Sequence, residues 1–73
     1  MNTSTIGKKV RVVRRQQGMR QEDLALVAGT AVRFISELEN GKQTCQVGKV
    51  LSVLDALGIR VELVGAMDAK KKV

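Results

Sequence analysis

The sequence predicts a mainly α domain of four short helices followed by one β-strand, and three observations carry that expectation. Glycines at 18, 29, 41 and 58 cut a 73-residue chain without proline into helix-sized pieces. Between these breaks, apolar residues recur at the spacing of a helical turn. After the last break the period changes to two, as in a strand with one covered face.

The first helix is expected over residues 5–17. At about 100° per residue, Ile6, Val10 and Val13 form one stripe, and Lys8, Arg11 and Arg15 stand opposite it. Gly18 suits the left-handed position after a helix end. The second helix opens at Gln21 and runs to Ala28, with Glu22 and Asp23 in the first turn, where the macrodipole favours them. Leu24, Val27 and Ala28 are expected on its buried side. At about two turns it is too short to stand without tertiary packing.

Thr30 is the expected N-cap of the third helix. Ile35 and Leu38, helped by Phe34, cluster on its inner arc, and Val32, Arg33, Ser36 and Glu37 point away. Asn40-Gly41 ends this helix, since both residue types tolerate a positive φ. After a loop from Lys42 to Gln46, the fourth helix is expected from Val47 to Leu57. It carries Val47, Val50, Leu51, Leu54 and Leu57 at the centre of the core.

Ile59, Val61 and Leu63 then alternate with Arg60 and Glu62. No other segment reads as a strand, and a lone strand leaves its amides and carbonyls unpaired. A homodimer resolves this if two copies of the segment pair antiparallel across a two-fold axis at Val61. Arg60 then faces Glu62 of the partner, and Ile59 faces its Leu63.

Composition narrows the function. Thirteen basic and seven acidic residues give a formal charge of +6, and Lys8, Lys9, Arg11, Arg14, Arg15 and Arg20 all precede the first acid, Glu22. Such one-sided charge suits a polyanion. With no histidine, tyrosine or tryptophan, a lone Cys45 and no metal-ligand spacing, the sequence offers no catalytic set and implies no cofactor or metal. One phenylalanine leaves little for stacking RNA bases. The absence of a signal-like N-terminus and of a membrane-length apolar run points to the cytosol.

Two short helices joined at a glycine, the second with a polar outer side, form a helix-turn-helix arrangement. In such a unit Arg33 can contact guanine O6 and N7 in bidentate fashion, Ser36 a base or phosphate, and Val32 a thymine methyl. Glu37 can accept from a cytosine amine or orient Arg33. A solvated helix face is the alternative reading of the same four residues.

The run from Met19 to Val64, with its "QEDLA", "ISELENGK" and "VLSVLDALG" segments, resembles the lambda-repressor/Cro-type, or XRE, helix-turn-helix family. Within it, the strand "IRVEL" directly after the fourth helix is most similar to the HipB-type antitoxins. The resemblance covers residues 5–64, with residues 1–4 and 65–73 as an N-terminal tail and a flexible basic C-terminal tail. It implies a lambda-repressor-like fold, base contacts from Ala31, Val32, Arg33, Ser36 and Glu37, and phosphate contacts from Gln21, Asn40 and Lys42. Arg14 and Gln43 are further phosphate candidates, and Glu39 is implied to bond within the fold. Val32 stands where many relatives carry an amide side chain. The implied role is a dimeric repressor of its own operon, bound to a palindromic double-stranded DNA operator, that neutralises a HipA-type serine/threonine kinase toxin. A regulator of the same fold without a toxin, and a protein-binding module, are the alternatives.

Overall fold

The computed structural model describes residues 2–63 and 65 and contains α1 (Thr3–Gln16), α2 (Gln21–Ala28), α3 (Val32–Glu39) and α4 (Val47–Ala56). α1 starts two residues earlier than its apolar stripe suggested, because Asn2 caps it. The Asn2 side chain accepts from the Thr5 amide at 2.9 Å and from the Thr5 hydroxyl at 3.1 Å. Thr3 and Ser4 therefore belong to the helix and not to a tail.

All four helices finish alike. In each, the amide of a left-handed glycine and that of the residue after it turn back onto carbonyls inside the last turn. At the end of α3, Gly41 donates to Leu38 and Lys42 to Glu37, both at 3.0 Å. Gly41 alone carries the positive φ, at 81°, whereas Asn40 sits at −89°. The conformational freedom expected of both residues is used by one.

α1 packs on α3, and α2 packs on both α3 and α4. Their shared core is Val10, Leu24, Ala25, Ile35, Leu38, Val53, Leu54 and Leu57, edged by Ile6, Val13, Met19, Phe34 and Ile59. Three assignments change. Val27 is 63 % exposed and Ala25 takes its place inside, because the buried arc of α2 centres on Leu24, Ala25 and Ala28 and leaves Val27 at its edge. On α4, Val53 and Leu54 are buried, as is Leu57 at its C-cap, while Val47 and Leu51 lie on the flank of that arc and face outward. Thr30 does not cap α3: Ala31 occupies that position, and the Thr30 hydroxyl is buried with no hydrogen-bond partner among the described residues.

Gly7 explains how closely α1 approaches α3. A Cβ built there would overlap the Leu38 carbonyl oxygen and lie 3.0 Å from its carbon and 3.1 Å from Glu39 Cα. Gly48, in the first turn of α4, has open space around it. Gly48→Ala is therefore expected to stabilise the domain by about 0.5 kcal/mol, read as a small rise in Tm.

Beyond α4, Ile59 is half-buried against the core and Arg60, Val61, Glu62 and Leu63 are exposed. The described residues include no strand. Pairing across a two-fold axis needs a second chain, so the expected strand Ile59–Leu63 has no partner within one protomer. Val64 and residues 66–73, with most of the expected basic tail, lie outside the described residues.

Candidate nucleic-acid interface

α3 is built with two unlike sides. Ile35 and Leu38 are fully buried, and Glu39 is buried beside them. On the opposite side, Ala31 and Val32 are exposed, the Arg33 side chain is 87 % exposed, and Ser36 and Glu37 are half-exposed. The five positions expected to read bases thus share one accessible surface. The eight-residue helix holds this orientation through its buried side and the Gly41 turn.

The outer side is internally ordered. Glu37 divides its carboxylate between two cations, Oε2 accepting from Arg33 Nε and Oε1 pairing with Lys42 Nζ, each at 3.3 Å. The bond with Lys42 lowers the Glu37 pKa from the usual carboxylate value, against an opposing effect of burial, and Arg33 adds to the lowering. Arg33 is engaged through Nε, and among the described residues its two terminal nitrogens make no hydrogen bond. That end of a guanidinium can meet the two acceptors of guanine in the major groove. Lys42, Asn40 and Gln43 are exposed around the turn that ends α3.

A second cluster lies where α1, α2 and α3 meet. The Glu39 side chain is fully buried. Arg14 clasps it with two bonds, Nε to Oε2 at 2.6 Å and a terminal nitrogen to Oε1 at 3.0 Å, and also donates to the Met19 carbonyl at 2.8 Å. Burial disfavours the Glu39 charge, but the bonds from Arg14, then Gln21, outweigh it and hold its pKa below the usual carboxylate range. The same pairing raises the Arg14 pKa.

Arg14 is thereby corrected as a phosphate candidate. It is 7 % exposed, and its guanidinium is committed to Glu39 and Met19. Gln21, at the first position of α2, is half-buried, and its amide donates to Glu39 Oε1 at 3.1 Å. Arg11, which sequence reasoning placed on the solvated side of α1, reaches the same oxygen through Nε at 3.4 Å. Lys49, unremarked in the sequence, stands 5.8 Å over the Phe34 ring and covers the α3–α4 edge.

No group of three or more histidine, cysteine, aspartate or glutamate residues is placed to hold a metal among the described residues. No helix among them is long and apolar enough to cross a membrane.

Comparison with known proteins bears on this geometry. The helix-turn-helix family model matches residues 10–64. The chain is 48 % identical over 66 residues to the HTH-type transcriptional regulator y4mF of Sinorhizobium fredii (strain NBRC 101917 / NGR234), covering 90 % of this chain and 87 % of that protein. Among solved structures, it is similar to a HipB variant in a complex with the O2 20mer, with a TM-score of 0.80 and 24 % identity over 90 % of this chain and 92 % of that one. That likeness shows a shared fold. With a family model matching most of its length and a regulator 48 % identical over 90 % of it, the chain belongs to the XRE-type helix-turn-helix family of DNA-binding transcriptional regulators.

Proposed function

We propose that the protein is a dimeric, sequence-specific repressor that reads a palindromic operator and acts as a HipB-type antitoxin. The observation that carries the DNA reading is the outer side of α3, where Glu37 holds Arg33 by its inner nitrogen and leaves the bidentate end free. Arg33 reads a guanine, Val32 and Ala31 contact apolar base edges, and Ser36 bonds a base or phosphate. Glu37 orients Arg33. Gln21, Asn40, Lys42 and Gln43 contact backbone phosphates on either side.

Two copies join through Ile59, Arg60, Val61, Glu62 and Leu63. The exposed Leu63, with Leu51 and Val47 on the free side of α4, supplies apolar surface that a second copy would cover. The pairing then sets the two reading helices about 34 Å apart, one duplex turn.

The test is binding to a palindromic duplex from upstream of the coding region, against a scrambled duplex of equal length. Arg33→Ala is expected to cost about 1–3 kcal/mol at one base position and to relax the choice there. Lys42→Ala weakens both duplexes alike. If Arg33→Ala keeps the parent's ratio of operator to scrambled affinity, direct reading by Arg33 is wrong.

The antitoxin role predicts that a co-expressed neighbouring gene encodes a HipA-type serine/threonine kinase, which co-purifies with this chain and loses activity in the complex. Similarity to a protein named only as a transcriptional regulator favours a second reading, the same DNA-binding activity without a toxin. A neighbourhood with no kinase gene, and no kinase captured on purification from the native host, selects it.

A further inference from the structure

We infer that Arg11 and Gln21 together hold one DNA backbone phosphate at the junction of α1, α2 and α3, with Glu39 as the residue that positions both. The inference rests on the DNA-binding reading above and deepens it: the phosphate at Gln21 belongs to that reading, and Arg11 is the added ligand. Glu39 Oε1 is shared three ways: besides the Arg14 terminal nitrogen at 3.0 Å, Gln21 Nε2 donates to it at 3.1 Å and Arg11 Nε at 3.4 Å, so that Gln21 from α2 and Arg11 from α1 converge on one buried atom.

Charge at this junction does not cancel. Glu39 is already neutralised by the two short bonds from Arg14, which leaves Arg11 as a second cation on a satisfied anion. Its contact is longer than the about 2.7–2.9 Å usual for a charge-assisted hydrogen bond, and its side chain is 44 % exposed. Arg11 is oriented by Glu39 without being consumed by it. Lys8 and Arg15, three residues before and four after, are exposed and extend the positive stripe along α1.

The nearby acids do not close the site. Asp23 accepts from the Arg20 backbone amide at 2.9 Å, and Glu22 is exposed with no recorded bond or ion pair to Arg11 or Gln21. Gln21 has one amide hydrogen left after its bond to Glu39, and Arg11 has those of its terminal nitrogens. A phosphate approaching the start of α2 can take one oxygen to each. Such a pair fixes the height of α2 on the backbone, and so the depth at which α3 enters the groove.

The experiment is a fluorescence titration of the full chain with operator and scrambled duplexes from about 50 to about 200 mM salt, where each neutralised phosphate adds about 0.9 to the slope of log affinity against log salt. Arg11→Ala is expected to lower that slope by about 0.9 on both duplexes, so its deficit against the parent narrows about 3.5-fold across the range. Arg11→Lys retains the slope. The losses from Arg11→Ala and Gln21→Ala should be non-additive, the double variant losing less than the product of the singles. Should Arg11→Ala fail to fold, Arg11→Gln, which is neutral and can still donate to Glu39, carries the same measurement.

An unchanged slope, or losses that simply multiply, overturns the inference and leaves Arg11 as part of the fold. A parent that binds duplex steeply with salt while Arg11→Ala matches its slope sinks this site alone. A parent with no duplex affinity sinks the proposed function along with it.

Discussion

Glu39→Ala is expected to remove most of the stability of the domain. The substitution leaves the Arg14 guanidinium buried without its counter-charge, and breaking a buried pair from one side costs about 3–5 kcal/mol. Domains have only about 5–15 kcal/mol in all, and one of this size lies toward the lower end. At roughly 4–8 °C for each kcal/mol, the fall in Tm exceeds ten degrees. Removing both charges is expected to do less harm. Arg14→Met combined with Glu39→Leu should recover much of the loss, since a packed apolar pair can replace a buried ionic one. A double variant no more stable than Glu39→Ala would contradict this account of the cluster.

The same residue sets an acid limit. Its folded-state pKa lies below the ordinary carboxylate value, so the charged form is the one the fold favours. Its contribution to stability is complete above the unfolded value of 4.5 and is lost as pH falls through the depressed folded value. A plot of Tm against pH should therefore drop on the acid side for the parent and be flatter there for the Arg14→Met, Glu39→Leu pair.

The second large effect is expected from Gly7→Ala. The added methyl would overlap the Leu38 carbonyl, which is backbone and has no rotamer to adopt, so α1 and α3 must separate. Overpacking of this kind costs about 1–3 kcal/mol. Function should suffer beyond what the Tm loss explains, because the displaced residues, Leu38 and Glu39, are those that anchor α3 and its ion cluster. Operator affinity measured well below the new Tm should fall while helix content by circular dichroism is retained. Undiminished affinity under those conditions would mean that α3 tolerates a shift against α1.

Much of this architecture was legible in the chain. Periodicity located the four helices and glycine located their ends, because the turn after each helix needs a φ that side chains resist. The outward set on α3 was legible too, since Ile35 and Leu38 are spaced to define the inner side unambiguously. What periodicity missed has a common cause. Arg14 lies only about 40° from Val10 around α1, at the margin of the apolar stripe, and a charged residue there reads as solvated until its counter-charge is found. That counter-charge, Glu39, is 25 positions away in sequence. Gly7 was equally opaque: a glycine within a helix marks a close approach only once the neighbour across it is known. On the short α2, with few turns to average over, Val27 and Ala25 could exchange places without disturbing the pattern. The strand Ile59–Leu63 is different in kind, since its hydrogen bonds would be made with another molecule.

Every bond that fixes the tilt of α3 leaves from its concealed half, through Ile35, Leu38, Glu39 and the turn at Gly41, and none of these side chains is exposed. The surface proposed to meet the operator is consequently free to vary. Val32, Arg33 and Ser36 can be exchanged for other residues without loosening the scaffold, so under the proposed base contacts a few outward substitutions would retarget a single architecture from one regulatory site to another.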